Sequence, residues 1–377
     1  MVRVQEGEQK GKSSTEMLDF FCAHNPTFRF SVSLRTNQLL MIKFFRRIRQ
    51  QLLYQNRFRK YLIYAIGEII LVIIGILIAL NINNRNAQKK HEAKVIIIFE
   101  DIMEELLADI TATVEIMDYF ARRDSTMRLV LNDEIKFDHY KENSPPHLYG
   151  LIDFSNSVNL TQNAYNNLVR NLDAVPARFK AVEGDLNTLY GLNKIMVEGA
   201  DKAIIDDIRS HKDYLKNEYD WYYQSLNFEE GWKNWVEYYL SYRYKNEVKA
   251  YHGQASNLVR QSFNYRKKAI ECYKKIAKLL DKPVNHESFS VDKELATNLV
   301  GKWHHTNSDE PFHSYKIGED GRLYYNFLSE ANYWEVIYLP KYNKLLHERG
   351  TVYATIVEEN EETIVKLAWG ASLKKRN

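Results

Sequence analysis

Three hydrophobic rhythms follow one another along the chain. From Tyr61 to Leu80, twenty residues are apolar on every face and Glu68 carries the one charge. At about 1.5 Å per residue this stretch reaches roughly 30 Å, the thickness of a bilayer's hydrocarbon core. A soluble core helix rarely needs so long a run that is apolar all round, so a transmembrane helix is expected. From Gln88 to about Arg123 the rhythm becomes helical. Val95, Phe99, Ile102, Leu106, Ile110, Thr113, Met117 and Phe120 form one stripe, with Glu100, Asp101, Glu104 and Glu115 opposite. That predicts a long amphipathic helix, in a coiled coil or, as further helices follow, in a bundle.

Residues 124–157 hold Asn143-Ser144-Pro145-Pro146 and Gly150, which predict a loop. Helices are expected at roughly 160–171, 176–198, 201–226, 229–247 and 250–280, with breaks near Pro176, Gly231, Gly253 and Pro283. After Pro283 the rhythm changes to short β-branched and aromatic segments such as "NYWEVIYL" and "ETIVKLAWG", with a hairpin signal at Asp320-Gly321. Five to seven antiparallel strands in a small sheet or partial barrel are expected. The predicted fold class is mainly α: one N-terminal transmembrane helix, an extracytoplasmic helical bundle over 88–283, and a small C-terminal antiparallel β module over 290–377.

Charge gives the span a direction. Lys43, Arg46, Arg47, Arg49, Arg57, Arg59 and Lys60 precede it, whereas Arg85, Lys89, Lys90 and Lys94 follow more sparsely and are joined by Glu92. The denser cluster is expected to stay in the cytoplasm, which predicts an uncleaved signal anchor over 61–82 with the bulk of the chain periplasmic or otherwise extracytoplasmic. Over 41–60, Phe44, Phe45, Ile48, Leu52 and Leu53 alternate with the arginines at helical spacing, as in a basic amphipathic helix on an anionic leaflet. Residues 1–40 lack such a pattern; they are expected to be a disordered upstream extension, with Met41 the expected start. Net charge is only +3, too small to argue for nucleic acid. The two cysteines, Cys22 and Cys272, flank the span, so no disulfide within the chain is expected.

An ionised carboxylate in lipid is costly, so Glu68 is expected to be neutral, paired or near the interface. Glu68, Val72, Gly75 and Ala79 share one helical face, and Gly75 with Ala79 makes a small-xxx-small pair that lets backbones approach. This face predicts helix association in a homo-oligomer. A partner membrane protein's helix and an interfacial carboxylate within reach of Arg57 or Lys60 are the alternatives.

The string "NRFRKYLIYAIGEIILVIIGILIALNINNRN", preceded by "MIKFFRRIRQQLL", resembles the N-terminal signature of an uncharacterised family of bacterial single-pass membrane proteins. The likeness rests on Gly67-Glu68 inside the span and on the exit Ile82-Asn83-Asn84. The family's pattern continues with tryptophan where this chain has Arg85. Family members begin near the equivalent of Met41. The resemblance implies topology and no activity.

Candidate chemistry is sparse. There is no GxSxG elbow, Walker A loop or GxGxxG. His304, His305, His313 and His347, with Asp309 and Glu310, are irregularly spaced, and no metal or other cofactor is expected. The run from Tyr219 to Tyr244 stands out, and Trp232, Trp235, Tyr239 and Tyr242 are expected on one helical face. Those rings fill a bundle core, stack on a sugar or other planar ligand, or meet a partner protein. The leading expectation is a non-enzymatic membrane-anchored scaffold or protein-interaction module. The alternatives are a ligand-sensing bundle that signals through a partner and an envelope enzyme acting on glycans.

Overall fold

The computed structural model describes residues 58–375 apart from 227, 328–330, 349–351, 361 and 369, together with 43, 46, 47 and 50. Lys43, Arg46 and Arg47 are helical and Arg59 lies in the first turn of the long helix α1. The expectations for residues 1–40, Arg49 and Arg57 lie outside the described residues, as does the side chain of Lys60. The chain divides into a unit that ends at Asn86 and a unit from Ala87 onward.

Helix α1, Phe58–Leu131, belongs to both units. In the first unit it is long and apolar enough to cross a membrane, and its side chains from Leu62 to Ile82 are almost all exposed. In the second unit the predicted stripe turns inward: Val95, Phe99, Ile102, Leu106, Ile110, Thr113, Met117 and Phe120 are all buried. The helix outlasts its predicted end by eight residues and stops at Asn132-Asp133, where Asp133 takes a left-handed φ of 63°.

Around that stripe lie α2 (Phe137–Glu142), α3 (Asn163–Val169), α4 (Lys180–Thr188), α5 (Lys194–Glu218), α6 (Phe228–Leu240) and α7 (Tyr242–Leu279). A π turn, Leu189–Asn193, joins α4 to α5 without a break, so the predicted interruption between 198 and 201 is absent. Gly253, another predicted break, sits inside α7. Phe99 stacks on Phe179 with ring centroids 4.4 Å apart, fixing α1 against the entry to α4. Asp109, buried on α1, accepts Tyr265 Oη at 2.5 Å and both the amide and the hydroxyl of Thr161 at 2.9 and 3.1 Å. One carboxylate thereby ties α7 and the start of α3 to α1.

The C-terminal part corrects the predicted fold class. After a short helix α8 (Lys293–Thr297), the strands are β1 (Gly301–His305), β2 (Pro311–Ile317), β3 (Leu323–Phe327), β4 (Trp334–Leu339), β5 (Lys344–His347), β6 (Val352–Glu359), β7 (Glu362–Lys366) and β8 (Ser372–Lys375). All eight pair antiparallel in sequence order, and β8 returns to β1 through Trp303↔Lys375 and His305↔Leu373. This is a closed barrel and not a small sheet or partial module. Alternation turns Trp303, Tyr315, Leu323, Tyr325, Val336, Leu345, Ala354, Val365 and Leu373 into one interior cluster. On β4 to β6 the outer positions Ile337, Leu339, Leu346 and Tyr353 join the helical core instead, so these strands are apolar on both faces.

Charged and polar contacts finish the junction between helices and barrel. Arg266 of α7 pairs with Glu335 of β4, which also accepts Arg322 Nη1 at 2.8 Å. Lys344 Nζ of β5 donates to Ser125 Oγ at 2.9 Å and lies 3.7 Å from Asp124. Tyr353 Oη donates to the Met117 carbonyl at 2.7 Å.

Candidate functional site

The aromatic run does not make the continuous face expected of it. Helix α6 ends at Leu240, and Ser241 adopts extended backbone and caps α7, its Oγ accepting the Tyr244 amide at 3.2 Å. Tyr242 therefore belongs to a different helix and is 79% exposed, while Tyr239 is buried. Trp232 and Trp235 are half-buried against the helical core. Trp235 packs on Trp221 at 4.8 Å and on Tyr239 at 5.8 Å, and Trp232 lies 5.0 Å from Phe137. Ring against ring is a core arrangement.

What the run does build is a buried polar cluster that its spacing concealed. His211 of α5 is almost wholly buried, with Nε2 3.0 Å from Tyr238 Oη and Nδ1 3.6 Å from Asp153 Oδ1. Burial, with Lys212 and Arg243 close by, pushes the imidazole down to about 4, so it is neutral at pH 7. Burial also raises the Asp153 carboxyl, against the pull of Lys212. Tyr244 is pushed well above the ordinary tyrosine value, first by burial and then by its neighbours Tyr140, Tyr239 and Asp153. The hydroxyls of Tyr140 and Tyr244, Trp235 Nε1 and His211 Nδ1 are buried without a hydrogen bond from the protein. Such groups normally carry water or a polar ligand. The chemistry available is hydrogen bonding by neutral phenols and a neutral imidazole.

The signal for His211 was present in the chain. It falls on the buried stripe of α5 with Val197, Ala200, Ile204 and Leu215, where it is one of three polar members beside Lys194 and Asp201 and the one imidazole.

The barrel gathers some of the histidines of the C-terminal part. His313 is 1% exposed, and both ring nitrogens lack a hydrogen-bond partner. His347 Nε2 is 2.9 Å from Tyr315 Oη, and its ring centre is 6.4 Å from that of His313. A register shift between Trp303 and His304 brings Phe312 onto His313 at 4.5 Å and onto His305 at 4.2 Å. Burial, then His305, lowers the His313 imidazole to about 4. His304 turns the other way, its Nδ1 2.8 Å from the Asp309 carbonyl. Among the described residues, no three His, Cys, Asp or Glu side chains converge as metal ligands.

In the first unit, Glu68, Val72, Gly75 and Ala79 lie on the apolar part of α1, and a Cβ added at Gly75 would meet nothing within 4 Å. Cys272 is a free, buried thiol pushed up to about 12 by burial, which makes it inert.

No curated protein and no solved structure matches this chain. The profile described as "Family of unknown function (DUF6090)" matches residues 68–164, a segment that opens at Glu68 and closes at the first turn of α3. That match agrees with the resemblance to an uncharacterised family noted at the span.

Proposed function

We propose that the chain is a single-pass membrane protein that holds an interaction module outside the cytoplasm. The reading rests on one observation above the rest: from Leu62 to Ile82 the side chains of α1 are apolar and almost all exposed, which water does not tolerate over such a length. The basic residues Lys43, Arg46, Arg47 and Arg59 precede this stretch, so its first end is cytoplasmic. The second unit is read as the binding module, supported by the hydrogen-bonding groups buried around His211 and Tyr238.

A reporter active only outside the cytoplasm, fused after Asn377, is expected to be active, and the protein is expected to sediment with membranes through an alkaline wash. Activity of a cytosolic reporter at the same position, or release by the wash, overturns the reading.

The face Glu68–Val72–Gly75–Ala79 is proposed to pack against a second membrane helix, since the open side of Gly75 admits a close backbone. Glu68→Ala is expected to lower the yield of crosslinked oligomer in membranes about threefold, by removing a hydrogen bond of about 0.6 kcal/mol. An unchanged yield removes Glu68 from the contact.

A second reading, a ligand-sensing bundle, is favoured by the buried polar atoms of Tyr140, Tyr244, Trp235 and His211, which gather around one aromatic core.

A further inference from the structure

The loop between α3 and α4 runs along the first turns of the second unit. Lys94 Nζ of α1 donates to Asn171 Oδ1 at 3.0 Å, where the loop begins. Gln88 and His91 of α1 then share a groove of about 570 Å3 with Asp173, Pro176 and Ala177. Phe179, past the loop, is back at the level of Phe99, on which it stacks. The loop therefore dips from Lys94 to Gln88 and climbs again, with its tip at the end of the unit where α1 enters. Gln88 follows Ile82, the last residue of the apolar stretch, by six positions. Six residues span about 9 Å as a helix and no more than about 20 Å in any conformation. If the apolar stretch crosses a bilayer, the loop's tip is held close to that bilayer's surface.

Charge is concentrated at this place. Over 88–94 and 169–180, six basic residues (Lys89, Lys90, Lys94, Arg170, Arg178 and Lys180) stand against two carboxylates, Glu92 and Asp173, in a chain whose whole net charge is +3. All six are exposed, and among the described residues none of them meets a carboxylate in an ion pair, the Glu100 carboxylate further along α1 being taken by Lys282 at 2.7 Å. Val169 and Leu172, 43% and 39% exposed, flank Arg170. Apolar side chains set among unpaired cations suit a surface that enters a headgroup layer. We infer that the α3–α4 loop rests on the bilayer, with its cations on the phosphates of anionic phospholipids and Val169 and Leu172 among the upper acyl chains. The inference rests on the reading of α1 as a membrane span. Tethering by that span keeps the lipid surface at high local concentration, so a few exposed cations suffice for the contact. The module's seat on the membrane then depends on lipid charge.

The test uses the full-length chain with Cys22→Ser and a single added cysteine, Leu172→Cys, labelled with bimane; Cys272 is buried and stays unlabelled. The chain is placed in vesicles of phosphatidylcholine, alone or mixed with phosphatidylglycerol, with a trace of phospholipid that carries a nitroxide on its headgroup. Quenching at position 172 is expected to be about threefold stronger with phosphatidylglycerol than without it. Tyr242→Cys is the control. That position is 79% exposed and lies near Lys245, which pairs with Asp133 past the other end of α1, so weak quenching is expected in both vesicles. Lys89→Glu, Lys90→Glu and Arg170→Glu together are expected to bring position 172 down to its value in phosphatidylcholine alone while the far-ultraviolet spectrum is kept. The inference is overturned by quenching no stronger at position 172 than at 242, by equal quenching in the two vesicles, or by quenching that survives the charge reversal. Leu77→Cys, read with a nitroxide on the acyl chain, reports the span separately. Quenching at 77 without quenching at 172 removes the loop contact and leaves the span, whereas no quenching at either position removes both.

Discussion

Glu335→Ala is expected to destabilise the unit of helices and barrel by about 3–5 kcal/mol, the usual cost of breaking a buried ion pair from one side. Glu335 is only 2% exposed and stands between two guanidiniums, Arg266 from α7 and Arg322 from the barrel. Its own amide donates to Glu348 Oε2 at 2.9 Å, and Glu348 in turn receives Lys267 Nζ at 2.7 Å. Without the carboxylate, Arg266, itself 4% exposed, keeps its charge in a site closed to water. The measurement is chemical denaturation of the detergent-solubilised chain, followed by circular dichroism. The double variant Glu335→Leu, Arg266→Met is expected to lose less than Glu335→Ala alone, because it removes the stranded charge along with its partner. A loss below about 1 kcal/mol for the single variant would mean that water reaches the pair and screens it.

The second large effect is an acid sensitivity carried by the barrel interior. His313 has a folded-state value of about 4 against 6.5 for a free imidazole. Below pH 6.5 the unfolded chain takes up a proton that the folded chain refuses. The stability from this group is complete above about pH 6.5 and is lost as the pH falls toward 4. Two and a half pH units at about 1.4 kcal/mol each set a limit of roughly 3–4 kcal/mol, most of which is lost by pH 4. His313→Leu is expected to flatten the profile: the parent's stability falls by about 3 kcal/mol more than the variant's between pH 6.5 and 4. Parallel profiles would show that the imidazole is hydrated within the barrel. His313 is the cleaner probe, because His211 faces Asp153, whose raised carboxyl contributes in the opposite direction over part of the same range.

Much of the helical architecture was legible and the barrel was not, for definite physical reasons. The stripe from Val95 to Phe120 follows a 3.6-residue period over seven turns, and each of its eight members is buried. The break expected at Gly253 fails because a single glycine weakens a helix of 38 residues without ending it. Ring closure depends on the shear and tilt of all strands together, which no local spacing encodes. Alternation was also blurred where it mattered, since Ile337, Leu339, Leu346 and Tyr353 are buried against helices on the outer side of the barrel. The expected face of Trp232, Trp235, Tyr239 and Tyr242 overlooked Ser241, a capping residue lodged in the aromatic run. The polar cluster at His211 draws on Asp153, Tyr140 and Tyr244, which are distant in sequence, so only the imidazole on the α5 stripe could have announced it.

Because β8 returns to β1, every strand of the barrel has both neighbours and no backbone row is left open. An extended peptide or a strand from another chain therefore cannot lengthen this sheet by backbone pairing, and the module is guarded against ribbon-like aggregation at high local concentration. Whatever binds the barrel must read side chains on its wall or the turns at its two ends.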